Sequence, residues 1–248
     1  MKLERELVPG RPDLPPLVFL HEGLGSLALW RDFPRRVSAL CGDPTTVVYS
    51  RAGYGHSPPA RLPRPVTYMH DEALVALPRV LADAYVERPV LVGHSDGASI
   101  AMLHASAGHR VTALVLLAPH VFVEDRTIAG IEAATRAYDE GPLRTRLARH
   151  HADVDATFRG WSDIWLSPEF RTWNITTALP AITSPILLIQ ESGDPYGTLA
   201  QLDAIESGVP ASAPVTRLVL PGTGHSPHES APDKVATAIA TFLQPRSP

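Results

Sequence analysis

Residues 90–99 read VLVGHSDGAS, an apolar run that halts at Ser95, with Gly93 two positions before it and Gly97 two after. A strand that turns this tightly into a helix crowds the β-carbons at those two positions, and glycine removes them. The flanks agree with such a turn. Residues 89–93 have the short apolar character of a buried strand, and residues 95–107 that of a helix, with Ala98 and Ala101 small enough to press on the strand. The turn lifts the Ser95 side chain clear of the sheet edge into open space. Gly-x-Ser-x-Gly strings recur by chance, so the weight of this one comes from the strand before it and the helix after it.

The remainder of the chain alternates in the same manner. Short apolar runs at 17–21, 46–50, 89–93, 113–118, 185–190 and 216–220 are interleaved with helical stretches at 27–40, 68–84, 95–107, 198–207 and 232–243. That order predicts an α/β fold, a doubly wound and mostly parallel sheet with helices on its faces. Gly108 suits a helix stop, and Pro34 and Pro78 interrupt or bend the first two helices. The 248 residues, 44% of them hydrophobic, are enough for one domain with a large core. The alternation breaks after residue 120. Residues 121–180 carry Trp161, Trp165 and Trp173 and are too long for an ordinary connection. They read as a helical cap over the strand ends, inserted between core segments 1–120 and 181–248.

Composition excludes several classes. The net charge of −4 leaves no basic surplus for nucleic acid. The N-terminal MKLERELVPG has no apolar signal segment, and no apolar stretch approaches the ~20 residues that a membrane span needs. Cys41 is the only cysteine, which rules out an intrachain disulfide and favours a reducing compartment. A cytoplasmic protein acting on a small molecule, with no membrane partner, is the expectation; the sequence does not set the oligomeric state.

A serine hydroxyl is a poor nucleophile unless a base takes its proton, and histidine is the usual base. His225 in VLPGTGHSPHES follows the last strand by a short glycine-containing loop, over the carboxyl edge where open α/β sheets bind ligands. His228 is its competitor. His94, next to Ser95 at a tight turn, points elsewhere and reads as a packed, hydrogen-bonded histidine. The base in turn needs a carboxylate to orient it. Asp194 in ESGDPYG follows another strand at the same edge, with Glu191 as the runner-up. A tetrahedral intermediate also requires N–H donors. Candidates are the backbone of Asp96, at the start of the helix after Ser95, and of Gly23 in HEGLGS. A dinucleotide-binding loop is excluded there, because the third glycine falls at Ala28 and the next strand ends in Ser50–Arg51 rather than an acid. No cofactor and no metal is implied. Walls of a pocket are expected from Leu24, His120, Phe122, Trp161, Trp165 and Tyr196.

Taken in order, LVFLHEGLGS, VVYSRAGYGHS, VLVGHSDGAS, ILLIQESGDPYG and LPGTGHSPH make the chain resemble the α/β-hydrolase superfamily over nearly its whole length. The resemblance implies that fold, an inserted cap, and hydrolysis through an acyl-enzyme. Position by position it makes Ser95 the nucleophile, Asp194 the acid and His225 the base, with Gly23 and Asp96 giving oxyanion N–H groups. A serine nucleophile argues against relatives that open epoxides or displace halide. A carboxylesterase on small esters is the leading expectation, and carbon–carbon bond hydrolysis of ring-cleavage products, lactone or thioester hydrolysis are alternatives. A ligand-binding receptor of the same fold is the non-enzyme alternative. Two departures stand out: many relatives have His-Gly where this chain has His21–Glu22, and Glu191 stands where glycine is common.

Overall fold

The computed structural model describes residues 2–222 and 224–244. Its strands are β1 (Arg5–Val8), β2 (Leu17–Leu20), β3 (Thr46–Tyr49), β4 (Val90–His94), β5 (Ala113–Leu117), β6 (Ile186–Glu191) and β7 (Val215–Leu220). They form one sheet in the order β1-β3-β2-β4-β5-β6-β7. From β2 to β7 every pairing is parallel, and each strand lies within one residue of the apolar run that announced it. β1 is the exception. It pairs antiparallel with β3, Arg5 opposite Tyr49 and Val8 opposite Thr46. Its sequence, RELV, is half exposed and has no apolar run, because an edge strand is held by its backbone ladder more than by burial.

The helices are α1 (Phe33–Leu40), α2 (Tyr68–Asp71), α3 (Leu77–Asp83), α4 (Asp96–Ser106), α5 (Asp125–Asp139), α6 (Leu143–Leu147), α7 (Val154–Leu166), α8 (Ala200–Gly208), α9 (Pro227–Ser230) and α10 (Pro232–Leu243). Strand residues alternate between the two sheet faces and feed two apolar clusters. Phe19, Val48, Val92 and Ile189 pack with Phe33 and Val37 of α1 and Val235 and Ile239 of α10. Leu20, Val47, Leu91 and Leu188 pack with Leu77 of α3, Ile100 of α4 and Leu202 of α8.

Two expected helices differ in detail. Residues 27–40 split into a 3-10 turn (Leu27–Trp30) and α1, separated at Arg31, whose φ is +52°. Pro34 therefore sits in the first turn of α1, where its missing N–H costs nothing, and starts the helix rather than bending it. Residues 68–83 are helical throughout, but Glu72–Ala76 form a π-turn in which the Leu77 N–H reaches the Glu72 carbonyl. That widened turn immediately precedes Pro78, which has no N–H for the ladder and whose ring would crowd a regular turn. Gly108, at φ +85°, follows the end of α4 as expected. Between β5 and β6 lie α5, α6, α7 and two short 3-10 segments. Among the described residues no helix is long and apolar enough to cross a membrane.

Parallel strands deliver their following loops to one edge of the sheet, so residues after β2, β4, β6 and β7 meet there. The closest approach is that of α4 to β2. A β-carbon at Gly97 would collide with the Leu20 carbonyl oxygen, and one at Gly93 with the Gly97 carbonyl. Gly97→Ala is therefore expected to lower the unfolding free energy by about 1–3 kcal/mol through overpacking. A chemical-denaturation midpoint unchanged from wild type would show that the helix does not sit so close.

Candidate active site

Ser95 occupies the single residue between β4 and α4, at φ +52° and ψ −115°. That conformation is unfavourable for a residue with a β-carbon and persists only where its surroundings hold it. Here the Ser95 N–H is tied to the Leu117 carbonyl at 2.9 Å, and the Ser95 carbonyl receives the N–H groups of Ala98 and Ser99. Ser95 lines a cavity of about 470 Å³ at the carboxyl edge of the sheet.

His225 lines the same cavity, and its Nδ1 lies 2.8 Å from Asp194 Oδ2 and 2.9 Å from Oδ1. Burial works to raise the Asp194 pKa, but the hydrogen bonds from His225 and from the Tyr196 N–H prevail and hold it below the usual carboxylate range. The carboxylate thus keeps Nδ1 as the protonated nitrogen and leaves Nε2 on the other side of the ring. The competitors have other duties. His228 is buried against Trp30, Phe33 and His94, and burial drives its pKa down to about 3. Glu191 accepts the Gly224 N–H at 2.8 Å and the Ser230 hydroxyl, so it clamps the loop that carries His225.

The loop after β2 is set by Arg51, a residue to which sequence reasoning assigned no role. Arg51 is fully buried and its Nη2 donates to the Glu22 carbonyl at 2.9 Å. The same carbonyl accepts from His21 Nδ1 at 2.7 Å, while His21 Nε2 accepts the Arg51 N–H at 3.0 Å. Burial, and then the Arg51 charge, hold the His21 imidazole well below its ordinary pKa, consistent with one donating and one accepting nitrogen. In a trans peptide the C=O and the next N–H point in opposite directions. With the Gly25 N–H at 3.1 Å as a third donor, the bonds on the Glu22 carbonyl turn the Gly23 N–H the other way. Gly23 lines the cavity, and a β-carbon on it would strike the Trp161 indole. Arg51 also lies 3.6 Å from Asp96 Oδ2, which accepts the Tyr68 hydroxyl at 2.8 Å; Trp165 Nε1 in turn donates to that hydroxyl. As the first residue of α4, Asp96 has a backbone N–H with no helical carbonyl to receive it.

The unusual Glu22 has a specific partner. Its Oε2 lies 3.2 Å from His94 Nδ1, and His94 Nε2 lies 2.7 Å from the His225 carbonyl. A carboxylate on one side of the ring and a carbonyl on the other favour protons on both ring nitrogens, an imidazolium facing a carboxylate. Burial alone would lower the His94 pKa; the Glu22 carboxylate outweighs it and raises it. Burial likewise works against ionised Glu22, and the bond to His94 overcomes it, holding the carboxyl well below its ordinary range. His94 is packed and hydrogen-bonded, as its place next to Ser95 suggested, and it fixes the main chain of His225.

The expected wall residues Leu24, His120, Trp161, Trp165 and Tyr196 line the cavity. Phe122 does not. Its backbone forms a bridge with Asn174 and bonds the Gln201 side chain, and its half-buried ring packs against the larger apolar cluster. Trp173 also packs, stacked on Phe170 with centroids 5.3 Å apart. His120 is buried, and desolvation takes its pKa down to about 3, so it faces the cavity uncharged.

A family model described as alpha/beta hydrolase family matches residues 17–238. A comparison with curated proteins returns no match. Among solved structures, the chain is similar to the enol-lactonase from Burkholderia xenovorans LB400 (16% identity, TM-score 0.73, 98% of this chain and 96% of that one). It is also similar to a thermophilic esterase from Thermogutta terrifontis (20% identity, TM-score 0.67, 98% and 93%). Proline iminopeptidase from Mycobacterium smegmatis aligns as well (20% identity, TM-score 0.65, 96% and 93%). At such identities the likeness is one of fold.

The Glu22–His94 pair makes stability depend on pH. A raised histidine pKa contributes stability below about pH 6.5 that is lost as pH climbs through the folded value. A depressed carboxyl pKa contributes stability above the ordinary carboxylate range that is lost on acidification. Glu22→Gln is thus expected to cost about 2 kcal/mol near pH 6 and progressively less toward pH 9. Denaturation midpoints of wild type and variant that differ by the same amount at both pH values would refute the ion pair.

Proposed function

The chain belongs to the alpha/beta hydrolase family, and we propose that it is a serine hydrolase that cleaves small carboxylic esters through an acyl-enzyme. The observation that carries this reading is the Asp194–His225 pair at 2.8 Å on the cavity that Ser95 also lines. In the proposed reaction His225 Nε2 accepts the Ser95 hydroxyl proton as Oγ bonds to the ester carbonyl carbon. Asp194 keeps the imidazole in the required tautomer and stabilises the imidazolium that forms. Negative charge on the carbonyl oxygen is met by the N–H groups of Gly23 and Asp96, already oriented before substrate arrives. Collapse breaks the C–O bond, and His225 returns its proton to the departing alcohol. Water then attacks the acyl-enzyme by the same route and releases the acid. Helices α5 to α7 act as the cap, supplying Ile131, Leu147, Trp161 and Trp165 to an apolar wall.

Ser95→Ala is expected to reduce turnover of a p-nitrophenyl ester by about 10⁴-fold or more, and a sulfonyl fluoride to label Ser95 in the wild type by peptide mass mapping. Turnover undiminished in the variant would end the proposal. Replacing His225 by alanine is expected to cost far more rate than replacing His228, in steady-state kinetics; the opposite ranking would reassign the base.

A further inference from the structure

Charge around the cavity is unevenly matched. Of the carboxylates on its lining, Glu22 faces His94, Asp96 faces Tyr68 and Arg51, and Glu229 faces Arg31 at 3.7 Å. The lining also includes Arg146 in α6 and Arg149 just beyond it. The Arg149 N–H bonds the Arg146 carbonyl, so the helical turn continues and the two side chains, three apart, leave from the same side. Among the described residues neither guanidinium has a carboxylate within salt-bridge distance. Neighbouring arginines of the same segment do: Arg144 pairs with Asp155, and Arg159 with Asp139. Each of those two meets a carboxylate, whereas Arg146 and Arg149, on the cavity, do not.

Both are solvent-exposed and therefore stand at the cavity rim, while the buried Leu147 between them also lines the cavity. Ile131, Leu143 and Trp161 extend the apolar lining. We propose that Arg146 and Arg149 form an anion subsite, and that the substrate is an ester with an apolar middle and a free carboxylate at the end remote from the scissile bond. The planar guanidinium fork matches a carboxylate with two parallel hydrogen bonds. A chain with net charge −4 would otherwise repel such a ligand. The proposal deepens the ester-hydrolase reading and rests on it for the placement of the ester at Ser95.

Binding of monomethyl suberate and dimethyl suberate to the Ser95→Ala protein, by calorimetric titration, separates the two ideas, since nothing turns over. The half-ester is expected to bind about tenfold tighter than the diester, and the preference to shrink as salt rises to about 0.5 M. It is expected to vanish in Arg146→Gln/Arg149→Gln and to reverse in Arg146→Glu/Arg149→Glu. Equal affinities, no detectable half-ester binding, or a preference that survives loss of both guanidinium groups would overturn the subsite. If the preference holds while the wild type resists the sulfonyl fluoride and hydrolyses neither ester, the subsite stands and the proposed hydrolysis falls.

Discussion

Everything at the site depends on how closely α4 seats against the end of β2. With no β-carbon at Gly97, the helix comes down onto the Leu20 carbonyl, and Ser95 is forced into its positive-φ turn between strand and helix. The same contact brings the first N–H of α4 beside the loop that begins at His21. Strain at Ser95 is tolerated because the surrounding sheet over-determines the turn, a common arrangement where a side chain has to be presented rather than packed. The candidate oxyanion donors and the candidate nucleophile thus share one packing contact, and neither can be placed without the other.

Around that contact the polar groups are arranged as nested clamps. Arg51, fully buried, spans the two halves by donating to the Glu22 carbonyl while facing the Asp96 carboxylate. His94 links the carboxylate of Glu22 to the main chain of His225, and Glu191 holds the same histidine loop from the other direction through Gly224 and Ser230. Such groups are expensive to bury alone and worthwhile only when each has a partner. Their value here is in geometry: the segments that follow β2, β3 and β7 are tied to one another and to the start of α4.

Legibility in the sequence followed the kind of force involved. β2 to β7 were readable because burial on both faces demands uninterrupted apolar runs, and the placement of the candidates Ser95, Asp194 and His225 at one sheet edge was readable because they follow such runs. β1 escaped because an edge strand needs backbone partners, not an apolar signature. Phe122 was misplaced for a related reason: its aromatic character announces burial but not direction, and its ring packs on the apolar core instead of lining the cavity. Glu191 ends β6 and Asp194 lies three residues on, and only the orientation of each carboxylate separates a loop clamp from a partner of His225.

The sequence by itself determined six of the seven strands, the mostly parallel class of the sheet and the positions along the chain where chemistry could be displayed, since each of these is written in local periodicity and in the demands of a tight turn. Tertiary structure alone decided which charges meet. Arg51 with Asp96 and His94 with Glu22 are relations between side chains distant in the chain. The physical reason is that electrostatic pairing acts through space at a few ångströms and leaves no periodic trace in the order of residues.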